Sequence, residues 1–159
     1  FFREQRSEGL ADHGLAVERI AASVEAARAS GLVLTARAEN FLHGRPDLED
    51  TIRRLQAFQE AGAEVLYAPG LSTRAQVAAV VGAVDRPVNI VMGLAGSDLT
   101  LADLAGLGVR RVSLGSSLSR AAFGALLRAT REILDTGTFE FAKQAVSFKD
   151  LDGYFRREG

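Results

Sequence analysis

Apolar positions along this chain switch between two spacings in a regular order. Residues 32–36, 64–68, 88–92 and 109–114 form short apolar runs that read as buried strands. Between the runs, apolar residues recur at helical spacing. Val17, Ile20, Ala21 and Val24 share one face before the first run, and Leu48, Ile52, Leu55 and Phe58 share one after it. Pro46 can open that second helix and Gly62 can close it. Ser72 or Thr73 reads as the N-cap of a helix built on Val77, Val80, Val81 and Val84. Asp98 or Thr100 caps a short helix in LADLAGLG, a longer helix spans 117–135, and 139–159 forms a C-terminal helical tail with one or two amphipathic turns over 139–155. The whole of 1–159 reads as a single domain.

Near-continuous apolar strands separated by helices call for parallel pairing, because each crossover helix covers a sheet face. The strand centres Leu34, Leu66, Ile90 and Val112 lie 32, 24 and 22 residues apart, intervals that suit strand–helix units. A four-stranded doubly wound sheet and half of an eight-stranded (β/α) barrel both fit. A full barrel of about 250 residues does not. A half-barrel would leave its first and last strands unpaired and barrel-facing residues such as Thr35, Leu66 or Val91 uncovered, so a homo-oligomer or pairing with a missing half is expected.

Composition narrows the function. Of 159 residues, 47% are hydrophobic and 25% charged, the profile of a globular chain with a core. A net charge of −1 offers no basic excess for nucleic acid or an anionic membrane, so neither is expected as a partner. The absence of Cys removes disulfides, thiolate metal sites and a cysteine nucleophile. The charged start FFREQRSEG is no signal peptide and no apolar stretch spans a bilayer, which makes a cytoplasmic location the expectation. No GxGxxG, P-loop, Ser-His-Asp or zinc spacing is present.

Ligands of parallel α/β folds bind at the C-terminal strand ends, which here read ARAEN, APG, MGLAGSD and LGSS. Thr35, just before ARAEN, shares one face with its Arg37 and Glu39. Arg37 then stands at the mouth with Glu39 able to orient it, and a guanidinium so held can grip a carboxylate or phosphonate with two hydrogen bonds. The same residues also read as a structural ion pair. Asn40 and His43 follow on the ligand side, His43 as donor or acid or as a solvated loop residue; His13 reads as surface. Asn89, an amide in an apolar strand, either reaches a ligand or is a satisfied interior amide. Gly115 lies in LGSS, whose backbone amides at a helix start give a weak anion-binding signal.

The stretch LTARAENFLHGRPDLEDTIRRLQAFQEAGAEVLYAPGL, continued by RPVNIVMG and LGVRRVSLGSSLSRAAFGAL, resembles the second half of the isocitrate lyase/phosphoenolpyruvate mutase superfamily, in its phosphonomutase-like branch. The likeness covers roughly residues 15–155. It implies that the four strands are the fifth to eighth of a TIM-type barrel followed by C-terminal helices. It also implies Mg2+-dependent cleavage or rearrangement of a C–C or P–C bond next to a carboxylate, through an enolate-like pyruvate species. By the Ala-Arg-x-Glu motif, Arg37 falls on the family's catalytic arginine. Glu39, Asn40, His43, Asn89 and Gly115 become substrate-binding candidates for a small carboxylate or phosphonate. The family's magnesium-holding acids belong to the first barrel half, so no metal ligand is expected in this chain. Pro69 and Gly70 stand where the isocitrate lyases place a glutamate after a proline, which disfavours isocitrate as substrate. The alternative is a non-catalytic half-barrel, or a truncated pseudoenzyme, that associates through its sheet edges. The chain reads as a piece of a longer protein and as inactive alone.

Overall fold

A computed structural model describes residues 2–3, 5–6, 9–93 and 97–156. Chain order gives β1 (Phe2–Arg3), β2 (Gln5–Arg6), β3 (Gly9–Leu10), α1 (His13–Ala29), β4 (Thr35–Arg37), α2 (Leu48–Glu60), β5 (Val65–Tyr67), α3 (Arg74–Gly82), β6 (Val88–Val91), α4 (Leu101–Gly106) and β7 (Arg111–Ser113). After them come α5 (Ser117–Thr136), a 3-10 turn (Glu140–Gln144) and α6 (Phe148–Phe155). The chain divides into two compact units, Phe1–Gly115 and Ser116–Gly159.

The first unit carries a five-stranded parallel sheet in the order β1-β4-β5-β6-β7. The four strands expected from the sequence pair in sequence order, and every pairing among them is parallel. Two features of the charged start escape the apolar pattern. One is β1, which pairs with β4 and so occupies the edge expected to be bare; the other is the antiparallel pair β2–β3.

Each interstrand helix starts on a side chain that accepts one of its unpaired first-turn N–H groups. Asp12 accepts from Leu15 and Asp47 from Asp50, both at 2.9 Å. Thr73 with Gln76, and Thr100 with Asp103, form reciprocal capping boxes. Such a cap is worth about 1 kcal/mol and fixes where the chain leaves the loop.

The core lies between these helices and one face of the sheet. Ala36, Leu66, Val88 and Ile90 project from the strands into it and meet Ile20 and Val24 of α1, Leu55 and Phe58 of α2, Val77 and Val80 of α3 and Leu104 of α4. Beside this core Arg54 is buried, with its Nε 2.7 Å from Asp50 Oδ2 and its Nη1 donating to the Ala11 carbonyl at 3.2 Å. Burial pushes its pKa down from the ordinary arginine value, and the bond to Ala11 ties α2 to the segment leading into α1.

In the second unit α5 ends on Gly137 in the left-handed conformation. Glu132 then accepts from the backbone N–H of Phe141 at 3.1 Å and from Thr138 Oγ1 at 2.8 Å, which folds the following turn onto the helix. No described helix is long and apolar enough to cross a membrane.

Candidate functional site

Parallel pairing brings the C-terminal ends of β4, β5, β6 and β7 to one side of the sheet, so Glu39, Pro69, Gly93 and Gly115 each lie two residues past a strand end. The register decides which side chains meet. Arg37 pairs with Tyr67, Tyr67 with Asn89, and Asn89 with Arg111. Because side chains alternate along a strand, these four form one row on the face opposite the helices. Thr35, two residues before Arg37, lies on that face as well.

Arg37 is 9% exposed and Glu39 3%, and Arg37 Nε lies 2.7 Å from Glu39 Oε1. The guanidinium carbon sits 4.8 Å from the centroid of the Tyr67 ring. A buried cation is thus held by an anion at one edge and a π face beside it, in a medium where both contacts are stronger than in water. On the same face, Asn89 Nδ2 donates to Ser113 Oγ at 3.1 Å, and Arg111 Nη1 donates to Thr35 Oγ1 at 3.3 Å. Asn89 is fully buried, and its Oδ1 has no hydrogen-bond partner among the described residues.

The remaining sequence candidates lie in the loops. Asn40 is fully buried, and its amide donates to the Asp47 carbonyl at 2.9 Å and to Thr51 Oγ1 at 2.5 Å. Thr51 in turn donates to the same carbonyl at 2.7 Å, so Asn40 fastens the β4–α2 loop to the first turn of α2. His43 is half-buried, and its backbone N–H is shared between the Glu39 and Asn40 carbonyls, each at 3.2 Å. Gly115 is exposed with φ +53°. The β5–α3 loop presses against the β4–α2 loop. A Cβ on Gly70 (φ +100°) would lie 2.8 Å from the Cβ of Phe41, so only glycine fits there. Tyr67, Thr35, Arg111 and Ser113 were not among the sequence candidates, although strand alternation puts Thr35 beside Arg37.

Among the described residues no three His, Asp or Glu side chains come together as a metal site. Glu39, the acid two residues past the end of β4, is engaged by Arg37. This donor set does not fit Mg2+, which is held by carboxylates and retains several waters.

The parallel strand–helix fold corresponds to about half of a TIM-type (β/α) barrel. The sequence pattern of the phosphoenolpyruvate phosphomutase family matches residues 3–134, and the chain belongs to that family, within the phosphoenolpyruvate mutase/isocitrate lyase superfamily. A Burkholderia cenocepacia J2315 protein, assigned provisionally as a lyase/mutase, has a solved structure that superposes with a TM-score of 0.92 at 49% identity, over 99% of this chain and 58% of that one. Phosphonopyruvate hydrolase superposes with a TM-score of 0.76 at 26% identity, over 95% of this chain and 56% of that one. The oxaloacetate decarboxylase of Paraburkholderia xenovorans (strain LB400) is 31% identical over 140 residues, which are 86% of this chain and 44% of that protein. The chain thus spans about half the length of the relatives it matches.

Proposed function

We propose that this chain supplies the anion-holding wall of a lyase or mutase site. The enzyme would cleave or rearrange a C–C or P–C bond next to a carboxylate, and its substrate would be a small 2-oxo acid of the oxaloacetate or phosphonopyruvate kind. The observation that carries the reading is Arg37. It is a guanidinium buried at the C-terminal end of a parallel strand and held by Glu39, inside the segment matched by the family pattern. When a bond beside the carbonyl breaks toward the pyruvate fragment, its electron pair passes into an enolate, and negative charge gathers on oxygen. A fixed guanidinium facing that charge stabilises it more than it stabilises the ground state, and loss of one such donor typically costs about 10²- to 10³-fold in turnover. Magnesium, implied by the superfamily, would be held by groups outside this chain.

The test uses the full product of the gene that encodes this chain, with oxaloacetate and phosphonopyruvate as substrates; pyruvate release reads cleavage, and the phosphorus NMR shift from phosphonate to phosphate ester reads rearrangement. Arg37→Lys should lower turnover by about 10²-fold while leaving the fold intact by circular dichroism, because one ammonium cannot reproduce a two-pronged grip. Near-normal kinetics for Arg37→Ala would overturn the assignment. A folded wild-type protein that neither releases pyruvate from these substrates nor rearranges phosphonopyruvate would favour the non-catalytic half-barrel instead.

A further inference from the structure

The backbone of Glu39 runs between two anchors. On the strand side, the Ala38 N–H donates to the Tyr67 carbonyl at 3.0 Å and ties the chain to β5. On the loop side stands Asn40, fully buried, whose Nδ2 donates to the Asp47 carbonyl at 2.9 Å and to Thr51 Oγ1 at 2.5 Å. A carbonyl can only accept, so the Asp47 bond fixes the amide with its nitrogen toward α2. The Asn40 carbonyl accepts from the Arg45 N–H, and the Glu39 carbonyl from the Leu42 N–H, each at 2.9 Å. The turn over residues 39–45 is thus wound around Asn40, and the Asn40 side chain joins it to a helix that Asp47 caps.

We propose that Asn40 is a positioning residue for the anion site. By fixing the chain just past Glu39, it sets where the Glu39 carboxylate meets Arg37 Nε, 2.7 Å away, and so how the guanidinium faces a bound carboxylate. The proposal rests on the reading of Arg37 given above. Further contacts of Arg37 and Glu39 leave it intact, because Asn40 acts on the backbone that carries the carboxylate. A misplacement of about 1 Å in such a constellation can cost about 10²-fold. Loss of one of the two anchors should cost a smaller factor, about 10-fold.

The experiment is a double-mutant cycle on oxalate affinity, measured by calorimetry with the full gene product and magnesium chloride present throughout. Oxalate is a planar dianion with the charge layout of a pyruvate enolate. Asn40→Ala should weaken its binding about 10-fold. In a Glu39→Ala background the same substitution should change affinity by less than about twofold, because the group it positions is gone. A merely structural Asn40 would give the same loss in both backgrounds. Thr51→Val loosens the same clamp with little change of shape and should weaken binding in the same direction, which keeps the question answerable if Asn40→Ala misfolds. Glu39→Met serves in the same way for Glu39→Ala. Equal losses in the two backgrounds, or no loss at all, with binding abolished by Arg37→Ala, would overturn the role of Asn40 and leave that of Arg37 standing. Unchanged affinity in Arg37→Ala, or no binding of oxalate by the wild type, would count against the anion site itself.

Discussion

Ala36 and Arg37 are neighbours in the chain, yet they stand on opposite faces of one sheet and meet different chemistry. On the Ala36 side the strands offer Leu66, Val88 and Ile90, which four helices cover with Ile20, Phe58, Val80, Leu104 and their neighbours. On the Arg37 side the same strands offer Thr35, Tyr67, Asn89, Arg111 and Ser113, joined by hydrogen bonds, an ion pair and a cation–π contact. TIM-barrel interiors are dominated by bulky branched side chains. This face instead carries groups that are costly to bury alone and strongly directional once paired. The helix face supplies stability in proportion to apolar area, while the inner face supplies orientation. The concern that barrel-facing apolar residues would lie uncovered is therefore misplaced for Leu66, which lies on the helix face, and for Thr35, which is buried.

If this division holds, substitutions on the two faces should fail differently. Phe58→Ala, on the helix face, should cost about 3–5 kcal/mol in urea unfolding, through lost burial and the cavity left behind. A cost below about 1 kcal/mol would break the comparison at its stronger side. On the inner face Asn89→Ala should cost about 1–3 kcal/mol, since it opens space and removes the bond to Ser113. Asn89→Leu, which keeps the branching and the number of side-chain heavy atoms and removes an amide whose Oδ1 has no partner among the described residues, should cost less. The reverse order by the same unfolding measurement would show that the amide itself holds the face together.

The smallest effect lies away from both faces. Asp103 has its carboxyl pulled down to about 2 by the Thr100 backbone N–H, then by the Thr100 hydroxyl and Arg74. A depressed carboxylate stabilises the fold fully above its unfolded value near pH 4 and loses that contribution as pH falls toward 2. Asp103→Asn should flatten stability across that window, as followed by thermal melts, and leave oxalate binding unchanged. An identical acid slope in the variant would assign the pH dependence to another group.

Much of the helix face can be read from the sequence, because its signals are local. Thr73 and Thr100 announce helix starts and the apolar spacing marks the covered sides, whereas the start of α2 reads from Pro46 and its cap is Asp47. The start of the first core strand misleads. Leu32 and Val33 continue the apolar run yet are 66% exposed, and β4 begins only at Thr35. The Leu34 N–H is instead bound by the Glu64 side chain at 3.1 Å, a contact across 30 residues that no local pattern encodes. β1 is two residues long in a charged segment and leaves no periodicity to detect. Arg37 and Glu39 stand out because charge at the end of an apolar strand is unusual. Tyr67 does not, since its meaning depends on which residue of β4 lies beside it. Asn40 reads from the sequence as ligand-side by position; its Nδ2 donates to Asp47 and Thr51 of its own loop and helix, while its Oδ1 has no hydrogen-bond partner among the described residues.

The contact between Gly70 and Phe41 bears on how this site can change over generations. With 2.8 Å between Phe41 and any Cβ at position 70, a side chain gained in the β5–α3 loop has to be matched by retreat of the β4–α2 loop. The two loops that flank Arg37 therefore form one unit of inheritance.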